Sequence, residues 1–197
     1  LLILVSALLG GIGLLFFRDP RRCAPADPKL LVAPADGRAT DITCIEHDPE
    51  LGTAAVKISI FLSVLDVHVN RSPCSGIVQS VEHRRGHFFD ARDARAGTAN
   101  EANTIVIKPD ESGIHRVIVR QIAGRIARRI VCLVRPGDRV ECGQRIGMIK
   151  FGSRTDLLIP SNSCEPMVNV GDRACGAVTV LARCMTGLME RSRLHGK

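Results

Sequence analysis

The dipeptide Gly152-Ser153 stands between two runs of strand-forming residues, Met148–Phe151 and Thr155–Ile159. Gly and Ser are common turn formers, so a tight turn is the simplest interpretation. The same dipeptide also has a chemical use, because a serine hydroxyl beside a residue without a side chain can attack the preceding carbonyl. That attack converts the amide into an ester, an N-to-O acyl shift. The dipeptide alone does not decide between a turn and a reaction site.

Such an ester opens a route to a reactive ketone within the chain. Removal of the serine α-proton eliminates the ester and leaves dehydroalanine, and loss of ammonia turns that end into a pyruvoyl group. The ketone accepts an amine as a Schiff base and acts as an electron sink, much as pyridoxal phosphate does. This chemistry requires a base, an orienting acid and an oxyanion site elsewhere in the sequence.

Several residues are candidates for these partners, and each also has a plain structural interpretation. Asp36 lies in "VAPADGR", where Asp-Gly after Pro is a β-turn signal. His68 lies in "FLSVLDVHVNRSP", and a single His on an apolar run is more often a packed residue than a catalyst. His83 is the second choice for a site histidine. Arg71 and Arg154 are candidates to hold a substrate carboxylate or phosphate by bidentate contact, although a surface role is simpler for each.

Composition restricts the partners of the chain. Its 197 residues are 45% hydrophobic, enough for one domain with a substantial core. The formal net charge of +7 suits a phosphate-rich partner, either a nucleic acid or an anionic lipid surface. With no Trp, no Tyr and six Phe, the chain lacks the aromatic platforms of single-stranded nucleic-acid binders. Single-stranded nucleic acid is therefore a poor partner, and the first seventeen residues, considered below, favour an anionic membrane over a nucleic acid.

The eight cysteines do not indicate a metal site. No pair has Cys-x-x-Cys spacing, and no Cys/His cluster has the spacing of zinc ligands. Several lie in apolar runs, so we expect reduced and mostly buried thiols in a cytoplasmic domain.

The first seventeen residues, "LLILVSALLGGIGLLFF", carry no charge and are followed by "RDPRR". They predict a hydrophobic helix that anchors the chain in a membrane or forms half of a membrane hairpin, although about 20 residues are usual for a full span. No basic region precedes the run and no small-x-small site follows it, so a signal peptide is disfavoured. The arginines after the run favour a main domain on the cytoplasmic face. Residues 18–29 are Pro-rich and polar, as expected of a linker.

Residues 30–197 predict one mainly β domain, a barrel or a sandwich. The predicted strands are Ala54–Leu62, Gly76–Glu82, Thr104–Lys108, His115–Gln121, Arg129–Val134, Arg145–Phe151 and Asp156–Pro160. The long polar segment Arg84–Asn103 is predicted to be a mobile loop. After the anchor, Gln121–Arg129 is the one stretch that would suit a short helix.

A weak internal repeat adds detail to the predicted fold. Pro136–Ile149 and Val170–Ala182 share a Gly-Asp-Arg turn followed by a Gly and a β run. This unit resembles the hairpins of lipoyl- and biotinyl-carrier domains. A carrier function does not follow, because no Lys stands in the context that such domains modify.

Five motifs together give the chain a specific resemblance. They are "FFRDPRR", "VAPADGR", "ISIFLSVLDVHVNRSPCSGIV", "QIAGRIARRIVC" and "GMIKFGSRTDLLIP", in this order. From about Phe16 to about Ala182 the sequence resembles the short form of the phosphatidylserine decarboxylase proenzyme family. The resemblance implies a pyruvoyl enzyme that decarboxylates phosphatidylserine to phosphatidylethanolamine at the cytoplasmic face of a cell membrane.

The resemblance also implies a role for each matching residue. Ser153 would become the pyruvoyl group, and Gly152 would become the C-terminus of a larger chain. Residues 1–152 and 153–197 would then stay associated as a heterodimer, with a higher oligomer left open. Asp36 matches the acid of self-cleavage.

His68 matches the histidine assigned to decarboxylation, and one departure affects it. The longer family forms have a second histidine three residues later that serves self-cleavage, and Arg71 stands there in this chain. Either His68 serves both steps, or another group such as His83 supplies the base.

Two other functions remain open at this point. A membrane-anchored, non-enzymatic β module would explain the anchor, the strands and the repeat, but not the ordered motifs. A decarboxylase of an ether-lipid serine analogue would share the chemistry, because its head group is identical. In either case no metal is expected.

Overall fold

The computed structural model describes residues 6, 10, 11, 13, 14, 16–110, 113–125, 129–150 and 152–185. Most of the predicted anchor helix over residues 1–17 lies outside these residues. Within the described part of the chain, no helix is both long enough and apolar enough to cross a membrane.

The described chain is mainly β, as the sequence predicts. Its elements, in order, are β1 (Leu30–Val32), β2 (Gly37–Asp48), β3 (Thr53–Leu62), β4 (Val69–Arg71), β5 (Gly76–Arg84), α1 (Ala96–Ala99), β6 (Ala102–Pro109), β7 (Val117–Ile122), β8 (Ile130–Cys132), β9 (Arg139–Val140), β10 (Arg145–Ile149), β11 (Ser153–Pro160), β12 (Cys164–Pro166), β13 (Arg173–Ala174) and β14 (Val180–Cys184).

The strands form a curled, half-barrel sheet of eight strands and two small sheets of three. The large sheet has the order β13-β2-β3-β11-β7-β6-β5-β9, and the small sheets have the orders β1-β14-β12 and β4-β10-β8. Neighbouring strands pair antiparallel throughout. The main apolar cluster includes Leu31, Ile60, Ile107, Ile146 and Leu181, so it joins the large sheet to both small ones.

The topology consists of two copies of one unit. The first unit contains β1 to β3 and β11 to β14, and the inserted unit contains β4 to β10. Strand pairing repeats between them: β1-β14-β12 corresponds to β4-β10-β8, and β13-β2-β3-β11 corresponds to β9-β5-β6-β7. The whole inserted unit therefore enters the chain between β3 and β11, two strands that pair with each other.

The two Gly-Asp-Arg turns occupy equivalent positions in these units. Gly137 and Gly171 adopt φ values of 93° and 101°, in the left-handed region that favours glycine. The carboxylates of Asp138 and Asp172 each accept a hydrogen bond of 2.8 Å from the backbone N–H three residues earlier. The strands that follow, β9 and β13, close opposite edges of the large sheet. The predicted repeat is thus confirmed, while its likeness to carrier hairpins stays a prediction.

Side chains of β11 alternate between the two faces of the large sheet, as in any strand. Leu157 belongs to the main apolar cluster, and Leu158 belongs to a separate cluster on the other face. By this period of two, Ser153 faces the main core, whereas Arg154 and Asp156 face away from it.

The seven predicted strands correspond to β3, β5, β6, β7, β8, β10 and β11, with shifted ends. The predicted loop Arg84–Asn103 contains the short helix α1 between β5 and β6, and its mobility stays a prediction. Buried Asn100 holds this segment together, because its amide donates to the carbonyls of Phe89 at 2.9 Å and Ala123 at 2.7 Å. The helix suggested for Gln121–Arg129 is wrong at its start, where the chain is still β7, and residues 126–128 lie outside the described residues.

Candidate active site

The two ends of the inserted unit lie side by side at one end of the large sheet. Leu62, the last residue of β3, lies opposite Ser153, the first residue of β11. The chain leaves the first unit after Leu62 and returns to it at Ser153. At the same place the backbone N–H of Ile149 donates to the carbonyl oxygen of His68 at 3.3 Å. The insertion thus brings His68 and the Gly-Ser bond, which are far apart in sequence, to one region.

The Gly152-Ser153 bond lies at a bend of the backbone where β11 begins. Gly152 has a φ of 61°, in the region that favours glycine. Ser153 is fully buried, and its hydroxyl oxygen has no hydrogen-bond partner among the described residues. A buried hydroxyl without a partner is costly, so its presence needs an explanation, and a role as a reacting nucleophile would be one.

Gly124 provides the surface against which the carbonyl of this bond packs. A Cβ atom at position 124 would lie closer than 3.0 Å to the carbonyl oxygen of Gly152, a distance that real Cβ atoms essentially never show. Only glycine therefore leaves room for this carbonyl. The sequence motif "QIAGRIARRIVC" contains Gly124, but nothing in its pattern predicts this contact.

His68 is completely buried and is oriented by the backbone. Its Nδ1 lies 2.8 Å from the carbonyl oxygen of Asp66, so in a neutral ring Nδ1 carries the proton and donates it there. The other nitrogen, Nε2, then has a free lone pair, and no described residue bonds to it. The ring of Phe16 packs on the imidazole with centroids 4.3 Å apart.

Burial lowers the pKa of His68 below its usual value of 6.5, because the charged ring loses its hydration. The bond to Asp66 and, more weakly, the charge of Asp36 act in the opposite direction. A neutral ring with an open Nε2 has the form that a general base requires.

Asp36 lies just before β2, at the same end of the sheet, but its carboxylate is held by other groups. One oxygen accepts a hydrogen bond from Nη2 of Arg22 at 2.7 Å, and the other accepts the backbone N–H of Gly176 at 2.8 Å and pairs with Nη1 of Arg22. His68 is therefore oriented by Asp66 and not by Asp36. Sequence reasoning missed Arg22 as a site residue, although it ends the motif "FFRDPRR".

The two arginines singled out as substrate contacts both have protein partners. Arg71 pairs with Asp19 and donates to the carbonyls of Gly143 at 2.9 Å and Pro20 at 3.0 Å, which ties the linker to the domain. Arg154 faces away from the main core, with its Nε 2.9 Å from Oδ1 of Asp156. Their roles toward a substrate stay predictions.

His83 lies on β5 and has an ion-pair contact of 3.3 Å between its Nε2 and Glu101. Three strand spacings separate β5 from β11 in the large sheet, about 14 Å at the usual spacing. The structure therefore does not bring His83 next to Ser153.

A chain of buried polar side chains links the strand after His68 to the strand of Ser153. Asn70 donates to the hydroxyl of Thr155 at 3.1 Å and accepts from Gln121 at 2.8 Å, and Asn103 donates to Gln121 at 2.9 Å. Each member is at most 2% exposed. The chain crosses from a small sheet to the large sheet, so it fixes the position of β4 relative to β11.

Among the described residues, no group of three or more His, Cys, Asp or Glu side chains is placed to hold a metal ion. All eight cysteines are free thiols.

Comparison of the sequence with known proteins identifies the family of the chain. Residues 12–182 match the family model described as phosphatidylserine decarboxylase. The chain belongs to the phosphatidylserine decarboxylase family. The matched range includes every candidate residue named above.

Named relatives extend the comparison over most of the chain. A phosphatidylserine decarboxylase proenzyme of Pelobacter propionicus is 48% identical over 90% of this chain and 79% of its own length. One of Carboxydothermus hydrogenoformans is 47% identical over 85% of this chain and 78% of its own. A putative archaetidylserine decarboxylase proenzyme of Methanothermobacter thermautotrophicus is 47% identical over 87% of this chain and 80% of its own.

The prosthetic group expected in this decarboxylase family fits the residues present. A pyruvoyl group would be made from Ser153, whose hydroxyl is buried and unpartnered. The left-handed backbone of Gly152 and the bare Cα of Gly124 accommodate the carbonyl that this hydroxyl would attack. The site thus combines a nucleophile, a carbonyl held in place and a buried neutral histidine in one region.

Proposed function

We propose that the chain cleaves itself between Gly152 and Ser153 and that the product is a pyruvoyl-dependent phosphatidylserine decarboxylase, which forms phosphatidylethanolamine. The main support is the buried, unpartnered hydroxyl of Ser153 beside a left-handed glycine. The word proenzyme in the names of the relatives agrees with processing of this kind.

Self-cleavage begins at the Ser153 hydroxyl. Its oxygen attacks the carbonyl carbon of Gly152, the C–N bond breaks, and the proton moves by way of Nε2 of His68 to the released nitrogen. Abstraction of the Ser153 α-proton then expels the Gly152 carboxylate and leaves dehydroalanine. Water hydrolyses the imine tautomer of dehydroalanine, which releases ammonia and leaves the ketone. Burial of Ser153 protects the ester from direct hydrolysis before this elimination.

His68 also suits the decarboxylation step. The pyruvoyl group supplies the electron sink for loss of carbon dioxide. A proton must then reach the carbon that lost the carboxylate, and Nε2 of His68 is a buried group that can carry it. We therefore assign both steps to His68, because the structure places His83 three strands away.

Asp36 acts on His68 through its charge, without a hydrogen bond between the two side chains. Its carboxylate is fixed by Arg22 and Gly176, and its negative charge favours a proton on His68. We propose that Asp36 stabilises the imidazolium form when His68 carries the transferred proton.

The two chains would remain together after cleavage, because the smaller chain contributes strands to the large sheet and to one of the two small sheets. Strand β11 lies between β3 and β7 near the centre of the large sheet, and β13 pairs with β2 at its edge. Strand β14 lies between β1 and β12 in a small sheet. We propose a heterodimer of residues 1–152 and 153–197.

We further propose that the active-site end of the molecule faces the cytoplasmic leaflet of a membrane. Four apolar side chains near this end are exposed, and we call them the apolar edge: Leu14, Phe17, Val64 and Leu65. Arg18 donates to the carbonyl of Leu65 at 2.6 Å and so joins the two parts of the edge. Cations nearby would add attraction to an anionic leaflet, about 1 kcal/mol for each Lys or Arg close to the surface.

Purified protein mixed with phosphatidylserine vesicles tests this function. The wild-type chain should release carbon dioxide and form phosphatidylethanolamine, and Ser153→Ala should stay uncleaved and inactive. Arg139→Gln, a change at an exposed arginine on β9, should behave like wild type. Activity in an uncleaved Ser153→Ala protein would contradict the pyruvoyl assignment.

A second candidate substrate is an ether lipid with the same head group. The archaetidylserine decarboxylase relative is as similar to this chain as one of the phosphatidylserine decarboxylases is, at 47% identity. Vesicles that contain either the ester or the ether lipid would separate the two substrates by the ratio of their rates.

A further inference from the structure

A cavity of about 270 Å³ opens beside the cleavage site. Gly152 forms part of its wall, and the residues that matter here are Phe61, Val64, Asp90, Arg92 and Arg125. The cavity has an apolar side, which leads to the apolar edge through Val64. It also has a charged side, which carries two guanidinium groups. An opening of this composition next to the reactive bond suits an amphipathic anion.

Arg92 forms an ion pair with Asp90 at this wall. Its Nε and Nη2 donate to the two carboxylate oxygens of Asp90 at 3.0 and 2.8 Å, and its guanidinium lies over the ring of Phe61 at 5.5 Å. The remaining nitrogen, Nη1, takes no part in this pair. The bond to Arg92 lowers the pKa of Asp90 to about 2, so Asp90 stays a carboxylate at neutral pH.

The charged side chains of the cavity together suit an anion with one negative charge. Arg92 and Arg125 contribute two positive charges and Asp90 contributes one negative charge, which leaves a net charge of +1. A phosphodiester carries a single negative charge and accepts hydrogen bonds from guanidinium groups in a fork geometry.

The carboxylate of the substrate is a poor occupant for the same cavity. It must leave as neutral carbon dioxide, and a firm arginine contact would stabilise the ground state more than the transition state. The phosphodiester keeps its charge throughout the reaction, so contacts to it do not oppose the chemistry.

We propose that this cavity binds the phosphodiester of the lipid head group, with Arg125 and Nη1 of Arg92 as donors. The proposal rests on the proposed function, since it names the substrate subsite of that reaction. Bound there, the head group lies against Gly152, next to the bond to Ser153, and its glycerol extends toward Val64 and the apolar edge.

Binding to the uncleaved Ser153→Ala protein tests the subsite without any need for activity. The probe is glycerophosphoethanolamine, which has the phosphodiester but no acyl chains. We expect Arg125→Gln to weaken its binding about tenfold in calorimetry, the factor typical of one charge-assisted hydrogen bond. The matched control Arg139→Gln should leave binding unchanged. Equal binding by all three proteins would overturn the proposal.

Kinetics of the processed enzyme give an independent readout. With short-chain monomeric phosphatidylserine, Arg125→Gln should raise KM about tenfold and leave kcat within about twofold. An effect seen only with vesicles would mean attraction to the membrane surface and would overturn the subsite. A failure of Arg125→Gln to self-cleave would also overturn it, since the residue would then serve processing or the new Gly152 carboxylate.

Two controls separate this proposal from others. Inorganic phosphate should compete with glycerophosphoethanolamine only weakly, because it lacks the amine and the glycerol. Equal competition would mean a general anion site and would overturn the head-group assignment. If wild-type protein cleaves itself but decarboxylates no phospholipid, the proposed function fails, whereas the binding experiment still decides the subsite.

Discussion

At the scale of single residues, the site depends on two buried polar atoms without partners. The Ser153 hydroxyl and Nε2 of His68 both lack hydrogen bonds within the described chain. Each would be costly in a purely structural role. The sequence offered both residues and also Asp36 as candidates, and the family resemblance implied their roles. Sequence patterns did not predict Arg22, Phe16 or Gly124, because those contacts join segments that are distant in the sequence.

The lowered pKa of His68 predicts the pH dependence of self-cleavage. The base must be neutral, and burial keeps it neutral below its usual pKa of 6.5. The cleavage rate of freshly refolded proenzyme should therefore stay constant from pH 8 to 6.5 and fall only at lower pH. The same shift makes the free energy of unfolding decrease as the pH falls below 6.5, because the unfolded chain binds the proton more readily. A rate that already halves above pH 6.5 would contradict a buried neutral His68 as the base.

Gly124 gives a second prediction at this scale. In Gly124→Ala the new methyl group must displace the carbonyl of Gly152. A misplacement of about 1 Å can cost about a hundredfold in rate, so we expect self-cleavage to slow by about that factor in a gel time course. Gly13→Ala is the control, because no described atom lies within 4 Å of its Cβ position. A thermal unfolding curve shows whether the Gly124→Ala protein is folded. Cleavage of this protein at the wild-type rate would mean that the contact between Gly124 and the Gly152 carbonyl does not affect self-cleavage.

At the scale of elements, the strands with many buried β-branched residues were the ones most readily predicted from the sequence. Strands β3 and β7 are rich in buried β-branched residues and are confirmed. Strand β2 was missed because most of its later residues are exposed or half-buried, and its pattern of burial is irregular. Strands β9 and β13 have two residues each, too few for any period. Helix α1, before β6, was not predicted because its four residues are too few for a helical period.

The turn between β3 and β4 carries a prediction about membranes. Its exposed Val64 and Leu65 form part of the apolar edge beside the cavity. Leu65→Ser should weaken binding to phosphatidylserine vesicles at least about tenfold in a co-sedimentation titration, because a buried leucine contributes about 1.5–3 kcal/mol. Val170→Ser, at an exposed valine in the turn before β13, is the control. Equal loss of binding in both variants would mean that this edge has no special role.

At the scale of the whole molecule, the active site is a consequence of the insertion of one unit into another. The first unit is interrupted between two paired strands, β3 and β11, so both ends of the insertion must meet. His68 lies at one of these ends and Gly152 at the other. The only sign of this duplication that we found in the sequence was the pair of Gly-Asp-Arg turns. The strands of the two units pair in the same pattern, but their sequences differ.

The central claim is that the Gly152-Ser153 bond is a reaction site, and an intact mass spectrum of the purified, denatured protein tests it most directly. We expect two chains that divide between Gly152 and Ser153, and a ketone at the start of the smaller chain that reacts with a carbonyl reagent. For Ser153→Ala we expect one uncleaved chain. A wild-type protein that remains a single chain of 21.3 kDa while it decarboxylates phosphatidylserine would show that the bond is not a reaction site.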